Sequence, residues 1–105
     1  MRDYQPRPRP RQWRPGERVP ENLVELAAQS LALFADRPLF GERTDGAWRW
    51  ITYAQWQQQV DAVRAALAGL GVRAGDRVAI VSRNSTAWAA AAYATYGLGA
   101  TFVPM

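Results

Sequence analysis

The residues that most often do chemistry are scarce in this chain. It has no Cys and no His, which removes the thiolate nucleophile, the usual zinc ligands and the commonest general base. All 13 of its basic residues are Arg. Glu42 and Asp76 have no second carboxylate at a useful spacing, so no acid/base pair is visible. From the sequence we therefore assign no catalytic, cofactor-binding or metal-binding residue.

Three short stretches resemble phosphate-binding motifs, but each is better explained by a helix end. Asn84-Ser85-Thr86 lies at the predicted start of a helix, where backbone amides can hold an anion. It lacks the glycines that let a phosphate approach closely, so we interpret it as a helix cap. Gly69-x-Gly71 precedes a strand and Gly97-x-Gly99 follows a helix, which is the wrong order for a phosphate loop. Both are predicted to end helices.

A nucleic-acid partner is not supported by the aromatic or the basic residues. Residues 1–18 carry the whole net charge of +4, and residues 19–105 are neutral. A field that covers the whole surface is therefore absent. Except for Arg49, no basic residue alternates with the tryptophans of the neutral part, so we interpret them as core residues and not as a stacking platform: Trp48, Trp50, Trp56 and Trp88.

The chain divides into a short arm and one domain. Residues 1–20 hold five of the seven prolines, so they are predicted to be a disordered, extended and mobile Pro/Arg-rich arm. A Pro-rich ligand for an adaptor domain and an Arg-rich arm that touches phosphates are open alternatives, and Trp13 leaves open a tail that docks on its own body. Residues 21–105 are predicted to form a single α/β domain.

The domain is predicted to begin with a helix and a β-hairpin. A helix of about four turns starts near Pro20-Glu21 and stops at 36–38, with an apolar face of Leu23, Leu26, Ala27, Leu31 and Phe34. Asp45-Gly46 then predicts a two-residue hairpin turn. This turn places Thr44 opposite Ala47, Glu42 opposite Arg49 and Phe40 opposite Ile51, with Trp48 and Trp50 together on the other face. We expect Glu42 and Arg49 to attract each other across the strands.

A long helix and a βαβ unit are predicted to follow. Thr52 and Gln55 have the spacing of a capping box, and the helix after them has an apolar stripe of Tyr53, Trp56, Val60, Val63, Leu67 and Leu70. The apolar run 78–81 predicts a strand that is buried on both faces. Asn84 and Ser85 are good caps for the next helix, and residues 101–104 predict a second, parallel strand. Residues 84–105 carry no charge, but Gly97, Gly99 and Pro104 argue against a membrane-spanning helix.

An ordered set of these segments resembles the opening region of AMP-forming acyl-CoA synthetases. The set consists of Thr52-Tyr53 at a helix start, LGVRAGDRVAIV at 70–81, Asn84, Trp88 and GATFVPM at 99–105. These enzymes belong to the adenylate-forming superfamily with luciferase and peptide-synthetase adenylation domains. The hairpin is most similar to the long-chain fatty acid–CoA ligases. Ala87 stands where many relatives have an acidic residue.

The resemblance implies an α/β fold that is the incomplete N-terminal part of a large adenylate-forming domain. It implies that the parent enzyme activates a fatty acid or other carboxylate with Mg-ATP to an acyl-adenylate and transfers the acyl group to coenzyme A. The phosphate loop, ribose-binding Asp and catalytic Lys of that family have no matching stretch here. We therefore expect a truncated, inactive scaffold fragment that holds no cofactor. A cytoplasmic location is implied, with peripheral membrane contact through the parent enzyme left open.

Two further expectations complete the interpretation. The isolated chain is expected to self-associate, because its last strands would be interior to a longer sheet. The alternative function is a small standalone binding module that recruits a partner through the Pro/Arg-rich arm.

Overall fold

The computed structural model describes residues 17–105, and residues 1–16 of the predicted arm lie outside them. The elements follow the predicted order of helix, hairpin, helix and βαβ unit. They are α1 (Leu23–Phe34), β1 (Pro38–Thr44), β2 (Ala47–Thr52), α2 (Tyr53–Gly69), β3 (Arg77–Ile80), α3 (Thr86–Gly97) and β4 (Thr101–Pro104). The predicted α/β fold class is therefore confirmed.

Helix α1 begins later than predicted and is less buried. Asn22 is the N-cap, and its side chain accepts a hydrogen bond from the backbone N–H of Glu25 at 2.9 Å. The N-cap thus lies one residue after the predicted start at Pro20-Glu21, because the capping side chain belongs to Asn22. No residue of α1 is buried, and Leu23 and Leu26 are 48% and 38% exposed. Of the predicted apolar face, Ala27 packs against the core.

The hairpin has the predicted turn and register. Asp45 and Gly46 have φ angles of 52° and 78°, as a two-residue turn of this kind requires. The three predicted residue pairs all lie opposite each other. Trp48 and Trp50 stack on one face with ring centroids 6.0 Å apart. Trp48 is nevertheless 57% exposed, so its interpretation as a core residue was wrong; it lies next to the turn, where both strands of the hairpin are exposed.

Helix α2 carries the centre of the hydrophobic core. Its capping box forms as predicted: the Gln55 N–H donates to the Thr52 hydroxyl and the Thr52 N–H to the Gln55 side chain. Trp56 and Val60 are buried and pack with Ala90 and Ala94 of α3. Leu70 is 82% exposed, which contradicts its place in the apolar stripe. It is the C-cap residue, beyond the last helical turn.

Helices α2 and α3 end with the same backbone motif, and each is followed by a strand. After α2, Gly71 N–H donates to Ala68 O and Val72 N–H to Leu67 O. After α3, Gly99 N–H donates to Tyr96 O and the next amide to Thr95 O. Gly71 and Gly99 have φ angles of 94° and 71°, the left-handed conformation of this helix stop. The prediction that both Gly-Leu-Gly stretches end helices is confirmed.

The βαβ unit forms as predicted, with β3 and β4 paired in parallel. On the side of α3, the rings of Trp88 and Phe102 contact each other edge to face at 5.2 Å. Strand β3 ends at Ile80, and Val81 is 78% exposed. The expectation of a strand buried on both faces was therefore wrong for this chain. Exposure alternates along β3, because α3 covers one face of the two-stranded sheet and Ala79 on the other face is exposed.

Among residues 17–105, no helix is both long and apolar enough to cross a lipid bilayer.

Candidate functional site

The start of α3, at Asn84-Ser85-Thr86, is the stretch that the sequence analysis considered as an anion-binding site. The Ser85 hydroxyl caps the helix by accepting from Trp88 N–H at 3.1 Å. The backbone N–H of Thr86 donates to the Glu42 carboxylate at 2.7 Å. Glu42 lies on β1, so the hairpin provides the negative charge that the helix N-terminus favours. The capping interpretation of this stretch is confirmed, and its position for an anion is occupied by the chain's own carboxylate.

This contact determines the electrostatics of Glu42. The hydrogen bond from the Thr86 backbone, followed by a contribution from the Thr86 side chain, lowers the pKa of the Glu42 carboxyl. Both favour the ionised form, because a carboxylate accepts these bonds and a protonated carboxyl accepts them less well. In residues 17–105, no ion pair joins Glu42 to Arg49. The expected attraction across the hairpin was therefore wrong: Glu42 is turned toward α3.

The other acidic residues do not assemble into a reactive site. The Asp76 carboxylate accepts from the Arg73 backbone N–H at 2.7 Å and so stabilises the turn before β3. Asp61 accepts hydrogen bonds from Gln57 and Arg64 along α2. The described residues contain no cluster of three or more potential metal ligands. These carboxylates shape turns and helix surfaces, and the structure gives them no shared substrate position.

Partly buried aromatic side chains pack around the buried ring of Trp56. Its ring meets Tyr93 at 4.9 Å and Phe40 at 5.7 Å, both edge to face. Burial, and then the neighbouring Tyr96, raise the pKa of the Tyr93 hydroxyl. The indole N–H of Trp56 is buried with no hydrogen-bond partner among the described residues. The cluster joins the hairpin, α2 and α3 and has the contacts of a core.

Two shallow grooves separate α1 from α2 and α3. Their volumes are about 180 and 300 Å³. Ala27, Leu31, Gln57 and Tyr93 line both of them. The polar groups along these walls do not form a nucleophile, an acid/base pair or a metal site. The grooves show that α1 packs loosely, and they do not define a reaction.

Sequence reasoning missed the role of Glu42 as a cap for α3. Glu42 and Thr86 are 44 residues apart, and no local pattern links a strand residue to a distant helix start. The sequence predicted that Asn84-Ser85-Thr86 caps a helix. It did not predict that the Thr86 backbone N–H donates to Glu42.

The chain matches the family model described as AMP-binding enzyme over residues 27–105. It is 37% identical over 70 residues to the long-chain-fatty-acid–CoA ligase FadD15 of Mycobacterium bovis, covering 67% of this chain and 12% of that protein. It is 31% identical over 84 residues to the L-proline–[L-prolyl-carrier protein] ligase of Streptomyces coelicolor, covering 80% of this chain and 15% of that protein. The chain thus spans only 12% and 15% of the length of these two curated relatives.

The fold is also similar to a solved structure from Mycobacterium tuberculosis. The N-terminal domain of FACL13 from Mycobacterium tuberculosis superposes with a TM-score of 0.72 at 27% identity. The match covers 80% of this chain and 21% of that chain. Since the family model covers most of the chain and the fold agrees, the chain belongs to the AMP-binding enzyme family.

Proposed function

We propose that this chain is a scaffold segment of a fatty acid–CoA ligase. The observation that carries the proposal is the family match over residues 27–105 together with 37% identity to a long-chain-fatty-acid–CoA ligase. In the proposed reaction, a fatty acid carboxylate attacks the α-phosphate of ATP and pyrophosphate leaves. The thiol of coenzyme A then attacks the acyl carbon of the adenylate, and AMP leaves.

The chain's own part in this reaction is structural. Its core of Trp56, Val60, Ala90 and Ala94 holds α2 and α3 together, and Glu42 ties the hairpin to α3. The family match and this packing support the proposal that the chain forms a structural layer of a longer domain. ATP, Mg²⁺ and coenzyme A would be held by other parts of a full-length parent, because the residues described here offer no assembled site for them. The family resemblance is also the basis for proposing a cytoplasmic parent enzyme.

The first test asks whether the 105-residue chain catalyses adenylation by itself. The purified chain is incubated with long-chain fatty acids, Mg-ATP and labelled pyrophosphate, and exchange of label into ATP is measured. We expect no exchange above background. Exchange that depends on the fatty acid would contradict the scaffold assignment.

The second test asks whether the chain can serve as that scaffold. The matching segment of FadD15 is replaced by residues 27–105 of this chain, and acyl-CoA formation is measured. We expect an active chimera that loses activity and thermal stability with Trp56→Ala, since removing a buried Trp side chain costs about 3–5 kcal/mol. Trp48→Ala is the matched control, because Trp48 is 57% exposed. A folded but inactive chimera would count against the proposal and favour a separate binding module.

A further inference from the structure

The two tryptophans of β2 form a flat aromatic surface on one face of the hairpin. The ring centroids of Trp48 and Trp50 are 6.0 Å apart, and the ring planes are 26° from parallel. Gly41 lies opposite Trp50, and a Cβ atom there would come within 2.9 Å of three atoms of the Trp50 ring. The Trp50 ring therefore lies flat against the Gly41 backbone, and its other face is turned away from the strands. Trp48 is 57% exposed, so the Trp48–Trp50 pair offers ring faces to a further group.

Ring faces of this kind bind arginine. An indole face is negative, and the planar guanidinium group stacks on it within about 6 Å of the ring centroid. The chain already contains such a contact, because the guanidinium carbon of Arg37 lies 5.3 Å from the centroid of the Phe34 ring at the end of α1. Net charge does not decide the partner here, since Arg43 opposite Trp48 and Asp45 at the turn carry opposite charges. The stacked rings, and not a charged patch, thus select a guanidinium group.

The arginines that fit this place lie in the Pro/Arg-rich arm. Residues 7–14 contain four of them: Arg7, Arg9, Arg11 and Arg14. Three of the four are followed directly by a proline. Proline restricts its own backbone φ angle, so fewer conformations are lost when such a segment binds a surface. The arm thus offers several guanidinium groups at a low entropic cost.

The described end of the arm leads toward the hairpin. The Arg18 guanidinium group pairs with Glu25 at 2.9 Å, and the Arg18 carbonyl accepts from the Gln29 side chain at 3.3 Å. Asn22 caps the start of α1. Followed backwards from Asn22 to Arg18, the chain therefore runs beside α1 toward its C-terminal end. That end connects directly to the hairpin, whose first strand begins at residue 38.

The arm is long enough to reach the Trp48–Trp50 pair. About 7.5 Å of helix axis separates Gln29 from Phe34, the last residue of α1. An extended chain spans about 3.3 Å per residue, so Arg14 can lie about 13 Å from Arg18 and Arg7 about 36 Å from it. Strand β2, with six residues, is about 20 Å long. The arginines of residues 7–14 can therefore pass the end of α1 and lie along the hairpin.

We propose that residues 7–14 dock on the Trp48–Trp50 pair of the same chain, with arginine guanidinium groups stacked on the indole faces. The docked segment joins α1 to the hairpin. The contact is intramolecular, because the bonds of Arg18 to α1 hold the arm within reach of the pair. The effective concentration of the arm then exceeds that of a second copy in dilute solution.

Limited proteolysis of the full 105-residue chain tests the docking. Trypsin cleaves after Arg but poorly where Pro follows, so the Arg11–Gln12 bond is the one within residues 7–14 that reports docking. Trp48→Leu removes the ring and should speed cleavage there about two- to fivefold, the effect of losing one exposed cation–π contact. Trp48→Phe is the matched control, because it keeps an aromatic face and should be cleaved nearly as slowly as wild type.

Nuclear magnetic resonance of the full chain gives a second readout. The indole N–H resonance of Trp48 is assigned by its loss in Trp48→Phe. The double variant Arg7→Gln/Arg9→Gln should shift it, whereas Arg73→Gln/Arg77→Gln makes the same charge change at exposed positions near β3 and should not.

Circular dichroism of each variant shows that it is folded. Equal cleavage of wild type and Trp48→Leu, or a Trp48 resonance that Arg7→Gln/Arg9→Gln leaves in place, would show a solvated arm and overturn the proposal. Protection of the Arg11–Gln12 bond that rises with protein concentration would place the arm on a second copy and overturn it as well.

Discussion

The carboxylate of Glu42 on β1 accepts a hydrogen bond from the backbone N–H of Thr86, the first residue of α3, at 2.7 Å. The contact connects the hairpin to the βαβ unit over 44 residues of sequence. It satisfies one of the amides that a helix leaves free at its start, and it places a negative charge at the positive end of the helix dipole. Glu42 thus supplies from a distance what a capping residue normally supplies locally.

Replacing Glu42 by Gln should lower the melting temperature in a pH-dependent way. The pKa of Glu42 is lowered in the folded chain, so its contribution to stability is present above the unfolded pKa and is lost as pH falls through the folded pKa. Thermal unfolding of both proteins from pH 7 to pH 3 measures the difference. Glu21→Gln is the control, since it removes the same charge from an exposed position. A difference between wild type and Glu42→Gln that stays constant with pH would refute this assignment.

Gly41→Ala should destabilise the hairpin by about 1–3 kcal/mol, the usual cost of overpacking. A Cβ atom at Gly41 would lie 2.8 Å from the Trp50 ring, so the indole must move or the strands must separate. Urea unfolding measures the cost, and the change in Trp fluorescence reports the movement. Gly69→Ala is the control, because nothing lies within 4 Å of its added Cβ atom. In the last turn of α2 this change should be neutral or stabilise by about 0.5–1 kcal/mol. Equal effects of the two substitutions would rule out the clash.

Gly71→Ala and Gly99→Ala should both destabilise the chain, by about 1–2 kcal/mol each, because an L-residue pays this cost in the left-handed conformation. Gly99→Ala should cost more, since its Cβ atom would also lie 3.2 Å from that of Ala74, whereas Gly71 faces open space. Chemical denaturation of the two variants gives the comparison. A larger effect at Gly71 would show that the close approach to Ala74 does not matter.

Thr52→Ala should destabilise the chain by about 1 kcal/mol through the loss of the α2 N-cap. The Thr52 hydroxyl accepts from Gln55 N–H at 3.1 Å, and Ala has no side-chain acceptor for that bond. Thr52→Ser keeps the hydroxyl and should restore most of the stability. Urea unfolding distinguishes them; if Ser and Ala were equally destabilising, the role would belong to the Thr methyl group.

The features predicted correctly from sequence are those that depend on near neighbours. The hairpin register follows from the turn residues Asp45 and Gly46, and the α2 start from Thr52 and Gln55, three residues apart. Apolar patterns showed which residues prefer burial, but not what covers them. Leu70, for example, fits the apolar stripe of α2 and is nevertheless exposed. The same limit applied to the site, because the partner of Glu42 depends on how distant elements dock.

Other errors have the same origin. Trp48 was expected in the core, yet it lies in the half of the hairpin next to the turn, where the residues of both strands are exposed. Val81 continues an apolar run, but α3 covers one face of the sheet and leaves this residue 78% exposed. A pattern of residue types gives the preferred environment. The actual environment depends on elements that are far apart in sequence.

Helix α1 is attached to the rest of the chain at its C-terminal end, and Ala27 is its residue that packs against the core cluster. The Phe34 and Tyr53 rings meet at 5.9 Å, and the Ala54 and Tyr53 amides donate to Ala35 O and Arg37 O, each at 3.0 Å. No residue of α1 is buried, whereas Ala90, Ala94 and Thr95 of α3 are at most 1% exposed. Local opening of α1 therefore breaks few apolar contacts, and its amide hydrogens should exchange with solvent through partial unfolding. The amides of α3 should exchange only when the whole chain unfolds.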